Sequence, residues 1–235
     1  MLLQTAQQKL EKILHDDELF QGFTEAEKQS LLSLSKIVRY LPGQQILRQQ
    51  QQLDYLYILL SGSLQIGWLQ ANGELKTNNF LGHYTAFNLV ALLQNQPVNF
   101  DYFTLGRVEV AIISKTEFLQ ILQTNAQASW SILQVLSKRM YHLFEQNRYL
   151  KTASLNQRMA RHLLSLQSQY GIKEGQTGLI HFKISQQEFS ELFNVSRQTI
   201  NKHLQHLMQD GLIEWNYSQV KILNLDKLQQ LSELS

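Results

Sequence analysis

The 235-residue chain contains no cysteine. That absence excludes disulfides, thiolate zinc sites, cysteine-ligated iron–sulfur clusters and cysteine nucleophiles, and it fits a reducing compartment. Long hydrophobic runs are missing as well. Runs such as Leu56–Leu60 fall far short of the ~20 residues that a membrane helix needs. The opening MLLQTAQQKLEKIL has no basic n-region and no small-residue cleavage site, so no secretory signal is expected. Charge is sparse and nearly balanced. Twenty-one Lys and Arg against 19 Asp and Glu leave a formal +2, and no strong overall field pulls the chain onto a polyanion. Any nucleic-acid binding must come from local geometry. What remains is a globular composition, 43% hydrophobic, with glutamines such as Gln49–Gln52 replacing many surface charges. The expectation is a cytoplasmic protein with no membrane partner, long enough for two domains with separate cores.

Three regimes of periodicity follow one another. Up to about Ser35 the pattern is helical, with a capping box at Thr24–Glu27. From Ile37 to about Ser114, short β-rich runs alternate with Pro42-Gly43, Ser61-Gly62, Asn72-Gly73 and Leu81-Gly82. Tyr55–Trp68 reads as two strands joined at Gly62, and Ala71–Glu74 as a hairpin turn. Many short strands at this spacing predict a compact roll or barrel. Ser114–Glu117 is a second capping box, after which the chain turns helical again.

Ala126, Ser129, Leu133, Leu136, Met140, Leu143, Asn147 and Leu150 fall at alternating spacings of three and four. They mark one helix of about 39 Å from Asn125 to Leu150. A stripe this long and narrow pairs with a copy of itself or packs on the roll of its own chain. In the first arrangement Trp130 and Phe144 cover the roll while the seam faces a partner. A break at Lys151–Ser154 starts another helical pattern, Leu155–Gln169, ended by Gly171. Residues 171–178 read as a glycine-rich loop. The expected organisation is an α+β chain: residues 1–124 as helices and β-roll, 125–151 as a dimerisation helix, 152–235 as a smaller domain.

That smaller domain carries the clearest chemistry. Ser185–Glu188 is a third capping box, opening a short helix through Phe193. Asn194-Val195 is a turn, Ser196 caps a second helix from Arg197 to about Gln209, and Gly211 ends it. Ile184, Phe189, Leu192, Val195, Ile200, Leu204 and Leu207 form its core face. This is a helix-turn-helix. Leu212–Trp215 and Val220–Leu223, around Asn216–Gln219, add a β-hairpin wing. Arg197, Gln198, Asn201 and Lys202 lie at the end of the second helix that enters a major groove. Arg and Lys offer donors to guanine, while Gln and Asn match adenine bidentately. Ser185, Gln187, Ser196 and Thr199 are short polar groups suited to phosphate oxygens at helix N-termini. The competing possibility is a plain solvated helix face.

The segment ISQQEFSELFNVSRQTINKHL (Ile184–Leu204) resembles the helix-turn-helix signature of the catabolite activator/fumarate-nitrate regulator (CRP/FNR) family. Arg197 matches the arginine after the capping serine, and Lys202 stands where arginine is usual. Gln198 replaces the family's glutamate. LYILLSG (Leu56–Gly62) is the best match in the roll, and the order of roll, long helix and winged helix-turn-helix agrees. The resemblance implies a cyclic-nucleotide-binding-like β-roll, a homodimer, double-stranded DNA as partner and contact with RNA polymerase. In cyclic-nucleotide members a cassette supplies Gly-Glu for the ribose and Arg-Ser or Arg-Thr for the phosphate. The similar stretch here is FLGHYTAFNLVALLQNQPVN (Phe80–Asn99). Gly82 is retained, His83 replaces the glutamate, and Val98-Asn99 replace Arg-Ser. Without the arginine no bidentate clamp holds the phosphate. Neither cAMP nor cGMP is therefore expected. Gly82, His83, Tyr84, Thr85, Val98 and Asn99 are left to line a site for a less anionic effector, alongside Phe87 and Phe100, or a vestigial one.

His203 and His206 are three apart, but nothing nearby completes a metal site. His83 is read as a packing or hydrogen-bonding residue, with ligand contact as the alternative; haem is not expected. No nucleophile with its base, no catalytic carboxylate pair and no phosphate loop has a recognisable context, so no enzyme activity is expected. Asp16-Asp17-Glu18 reads as a solvated helix end. The chain reads as a homodimeric DNA-binding regulator of a near-palindromic site, gated by a small-molecule effector through Arg148–Ser154. The alternatives are a sensor acting through protein contacts and a regulator without effector.

Overall fold

The computed structural model describes residues 5–82, 84–180, 183–216 and 219–233. These divide into two compact units, one within Met1–Trp68 and Phe80–His142, the other within Leu69–Asn79 and Leu143–Ser235.

The first unit begins with α1 (Ala6–Asp16) and α2 (Glu25–Leu34). Each opens on a complete capping box, Thr5 with Gln8 and Thr24 with Glu27. Only the second is expected from the sequence. Between them, Asp17 caps a 3₁₀ turn at Glu18–Phe20 by accepting the Leu19 N–H, so the acidic run is indeed a helix end. The strands that follow are β1 (Lys36–Tyr40), β2 (Gln45–Leu47), β3 (Tyr55–Ser61), β4 (Leu64–Leu69), β5 (Leu75–Leu81), most of which belongs to the second unit, β6 (Thr85–Phe87), β7 (Asp101–Thr104) and β8 (Val108–Ser114). They form two four-stranded sheets, ordered β1-β8-β3-β6 and β2-β7-β4-β5. Leu56–Leu60 is buried throughout. β3 runs between β8 and β6, so both its edges are paired, and with successive side chains buried on both faces it needs no alternation. At the β3–β4 turn Gly62 has φ +85, and a Cβ there would lie 2.5 Å from the Arg107 carbonyl oxygen. The turn requires glycine for both reasons.

Two short helices complete the roll, α3 (Leu89–Leu93) and α4 (Lys115–Thr124). α4 starts where expected, but Ser114 makes no side-chain capping bond. Its backbone is the last rung of the β3–β8 ladder, opposite Tyr55, and the strand sets its conformation. α5 (Ala126–Thr152) then runs for 27 residues. Asn125 anchors its start. Its Oδ1 accepts from Gln127 N and Ala128 N, and its Nδ2 donates to the Gly22 carbonyl. Trp130 and Phe144 do not cover the roll, contrary to expectation: they are 55% and 63% exposed. Ala128, Ile132 and Val135 join the core instead, with Leu136 partly buried. Those three repeat at i, i+4 and i+7, and Trp130 lies about 200° round the axis from Ala128.

The second unit comprises α6 (Leu155–Tyr170), β9 (Gly171–Glu174), β10 (Thr177–Ile180), α7 (Gln186–Leu192), α8 (Arg197–Gln209), β11 (Ile213–Asn216), β12 (Gln219–Ile222) and α9 (Leu225–Ser232). Ser154 and Gln157 box the start of α6. The 171–178 segment is not a loop but the hairpin β9–β10, part of a sheet ordered β11-β12-β10-β9. Gly175, φ +60, makes its turn, whereas Gly178 is required by packing: a Cβ there would come within 2.5 Å of Gln167 Cγ. α9 is not foreshadowed by the sequence pattern. Asn224 caps it and Leu225 and Leu228 bury its inner face. Among the described residues no helix is long and apolar enough to cross a membrane.

Candidate nucleic-acid interface and effector cassette

The helix-turn-helix forms from local signals backed by one aromatic core. Ser185 and Glu188 close a capping box at α7. Asn194 takes the left-handed conformation, φ 53, that the turn needs. Ser196 Oγ accepts the Thr199 N–H at 3.1 Å to cap α8, and Gly211, φ +66, follows its end. Phe189 lies 5.0 Å, centroid to centroid, from both Phe193 and Trp215. Ile184, Phe189, Ile200, Leu204 and Leu207 are buried as expected, while Leu192 and Val195 are only half-buried.

Arg197, Gln198 and Lys202 are exposed on α8. The fourth residue expected to read bases, Asn201, is half-buried and committed: its Nδ2 donates to Gln186 Oε1 at 3.0 Å. Gln205 is exposed one turn beyond Lys202. It shares the Gln198–Lys202 face at i+7 and could have been found by that spacing. Ser196 and Thr199 are exposed with their hydroxyls 2.8 Å apart. Ser185 is half-buried in its cap, and Gln187 is exposed, donating to Glu191 Oε1 at 3.0 Å. Lys183, just before α7, is exposed. The first turn of α8 thus combines uncompensated backbone N–H groups, two hydroxyls and a guanidinium, all complementary to a polyanion.

The cassette residues are scattered. Gly82 and Val98 are buried, Tyr84 and Asn99 exposed. His83 and the side chain of Thr85 lie outside the described residues. Tyr84, with φ 61, donates its N–H to the Leu59 carbonyl. Inside the roll, Phe87 lies 5.5 Å from both Tyr57 and Tyr102. Tyr102 donates its hydroxyl to Asn88 Oδ1 at 2.7 Å, and burial pushes its pKa up to about 12. Asn88 Nδ2 is buried without a hydrogen-bond partner among the described residues. Phe80–Asn99 contains no Lys or Arg that could hold a phosphate bidentately, and Val98 is buried in the core.

On α5, Leu133, Met140, Leu143 and Leu150 are all more than half exposed, as are Trp130 and Phe144. Tyr141, which lies off the heptad stripe, is equally exposed.

A β-roll followed by a long helix and a winged helix-turn-helix defines a class of DNA-binding transcription regulators. Residues 37–125 match the cyclic nucleotide-binding domain and residues 157–231 the Crp-like helix-turn-helix domain. The chain is 23% identical over 219 residues to the CRP-like cAMP-activated global transcriptional regulator of Mycobacterium tuberculosis, covering 93% of this chain and 98% of that one. Its fold is similar to that of a CRP/FNR family transcriptional regulator from Thermus thermophilus, with TM-score 0.68 and 21% identity over 84% of this chain and 98% of the other. It is also similar to the c-di-GMP-responsive global regulator CLP of Xanthomonas campestris, with TM-score 0.67 and 22% identity over 86% and 99%. The chain belongs to the CRP/FNR family of DNA-binding transcription regulators. That family consists of transcription regulators rather than enzymes.

Proposed function

We propose that the protein acts in the cytoplasm as a homodimer that reads a near-palindromic DNA site and answers to RNA polymerase. The observation that carries this reading is the exposed set Arg197, Gln198 and Lys202 at the capped N-terminal half of α8. Arg197 and Lys202 supply donors to guanine O6 and N7, and Gln198 supplies the bidentate edge that matches adenine. Ser196, Thr199, Gln187 and Lys183 hold the backbone phosphates. The exposed apolar residues of α5 support self-association, because a 27-residue helix with one unpartnered apolar stripe gains by pairing. A two-fold dimer then presents two copies of α8 to half-sites about one helical turn apart.

The effector is neither cAMP nor cGMP. The roll offers aromatic surface, the Asn88–Tyr102 pair and no cassette cation, which suits an uncharged or weakly charged ligand. Dense packing around Phe87 and Val98 supports a second reading, regulation without any effector. In vitro selection of DNA sites from a random pool tests the central proposal. Enrichment of an inverted repeat supports it, and absence of any enriched motif favours a sensor acting through protein contacts.

A further inference from the structure

α8 is held from two sides by polar bonds that its apolar core does not supply. Asn201 is tied to Gln186 of α7. Two residues on, His203 Nδ1 lies 2.6 Å from Asn156 Oδ1 on the first turn of α6. An amide oxygen can only accept, so Nδ1 carries the ring proton. Both side chains are half-buried, which limits competition from water. We propose that His203 and Asn156 are positioning residues for DNA reading, their bond setting the rotation of α8 about its own axis and with it the aim of Arg197, Gln198 and Lys202.

Burial alone does not set that rotation. Ile200, Leu204 and Leu207 hold α8 through a non-directional force that a small roll of the helix barely changes. Side-chain tips stand roughly 6 Å from a helix axis, so a roll of about 10° moves them by about 1 Å. A bidentate bond to a base edge does not survive such a shift, because hydrogen bonds work within a few tenths of an ångström. His203 is near the middle of α8, and Asn156 is two residues past the Ser154 cap, on a helix whose own start is fixed by the Ser154–Gln157 box. Burial, then His206 and Lys202, hold the His203 pKa below its ordinary value. The ring therefore stays neutral at neutral pH, with its single proton aimed at Asn156.

The inference rests on α8 reading DNA, and its test separates the two. The full chain is measured on a duplex selected by the wild type from a random pool, and on a scrambled duplex of equal length. His203→Ala and Asn156→Ala each lower affinity for the selected duplex by roughly three- to ten-fold and leave the scrambled duplex unaffected. The double variant loses no more than the worse single one, since both remove the same bond. His203→Asn places its Nδ2 where Nδ1 stood and stays within about two-fold of wild type. A merely structural role would depress both duplexes together. Equal losses in His203→Ala and His203→Asn, additive losses in the double variant, or wild-type selectivity in either alanine variant would overturn the proposal. A wild type that selects no sequence would overturn the DNA reading of α8 and the proposal with it.

Discussion

His162 on α6 meets Phe193, at the C-terminal end of α7, edge to face, their ring centroids 5.7 Å apart at 84°. Phe189 lies 5.9 Å from the same imidazole, and His162 Nε2 is buried with no hydrogen-bond partner among the described residues. An ionisable ring thus sits in the joint that orients the helix-turn-helix. Burial lowers its pKa from 6.5 to about 4.

The sign of the consequence follows from linkage. The unfolded chain takes up the proton near pH 6.5, before the folded chain does. The stability contributed by the neutral ring is complete above that pH and is lost as pH falls towards 4. The total loss is about 3 kcal/mol, since each tenfold difference in proton affinity between the two states is worth roughly 1.4 kcal/mol. Urea unfolding at pH 7.5 and pH 4.5 measures it. His162→Phe, which keeps an aromatic of similar size and cannot titrate, is expected to reduce this acid dependence; an unchanged dependence would contradict the assignment.

Arg197→Ala is expected to lower affinity for the selected site by about 1–3 kcal/mol or more, roughly ten- to a hundred-fold, with relaxed preference at one base pair per half-site. Lys183→Ala, at the edge, weakens binding mildly and equally across sequences. A mobility-shift series distinguishes these, and wild-type binding by Arg197→Ala would refute the proposed reading head.

Met140→Glu combined with Leu143→Glu is expected to give a monomer in sedimentation equilibrium, since both side chains are exposed in one chain and need a partner's apolar surface. Ile132→Ala provides the contrast. Ile132 is buried in the roll core, so its truncation costs roughly 2–4 kcal/mol of stability and leaves the oligomeric state unchanged. A double glutamate variant that remains dimeric would place the interface elsewhere.

Neither cAMP nor cGMP is expected to raise the melting temperature. A ligand at a hundred times its dissociation constant stabilises by about 2.7 kcal/mol, which a thermal scan detects readily. Saturable stabilisation by either nucleotide would show that some other cation serves the phosphate in place of Val98.

Features decided within three or four residues were legible from the chain. Thr24, Ser185 and Ser196 cap helices where the residues after them allowed it, and Asn194 and Gly211 take the left-handed backbone their positions suggested. The exposed Arg197, Gln198 and Lys202 followed from helical spacing alone. Features that depend on a distant partner were not legible. Ser114 has capping chemistry but spends its backbone on Tyr55. Asn201 has base-reading chemistry but spends its amide on Gln186.

The amino-acid sequence by itself determined the helix-turn-helix and the lack of any Lys or Arg across Phe80–Asn99. Each depends on which residue types stand at short, regular spacings. Only the tertiary structure decided that residues 171–178 pair as strands beside the wing, that Ala128, Ile132 and Val135 rather than Trp130 and Phe144 seal α5 to the roll, and that His203 meets Asn156. Strand pairing, the choice of a buried helix face and a hydrogen bond spanning 47 residues are settled by what the rest of the chain brings alongside, and local pattern carries no record of that.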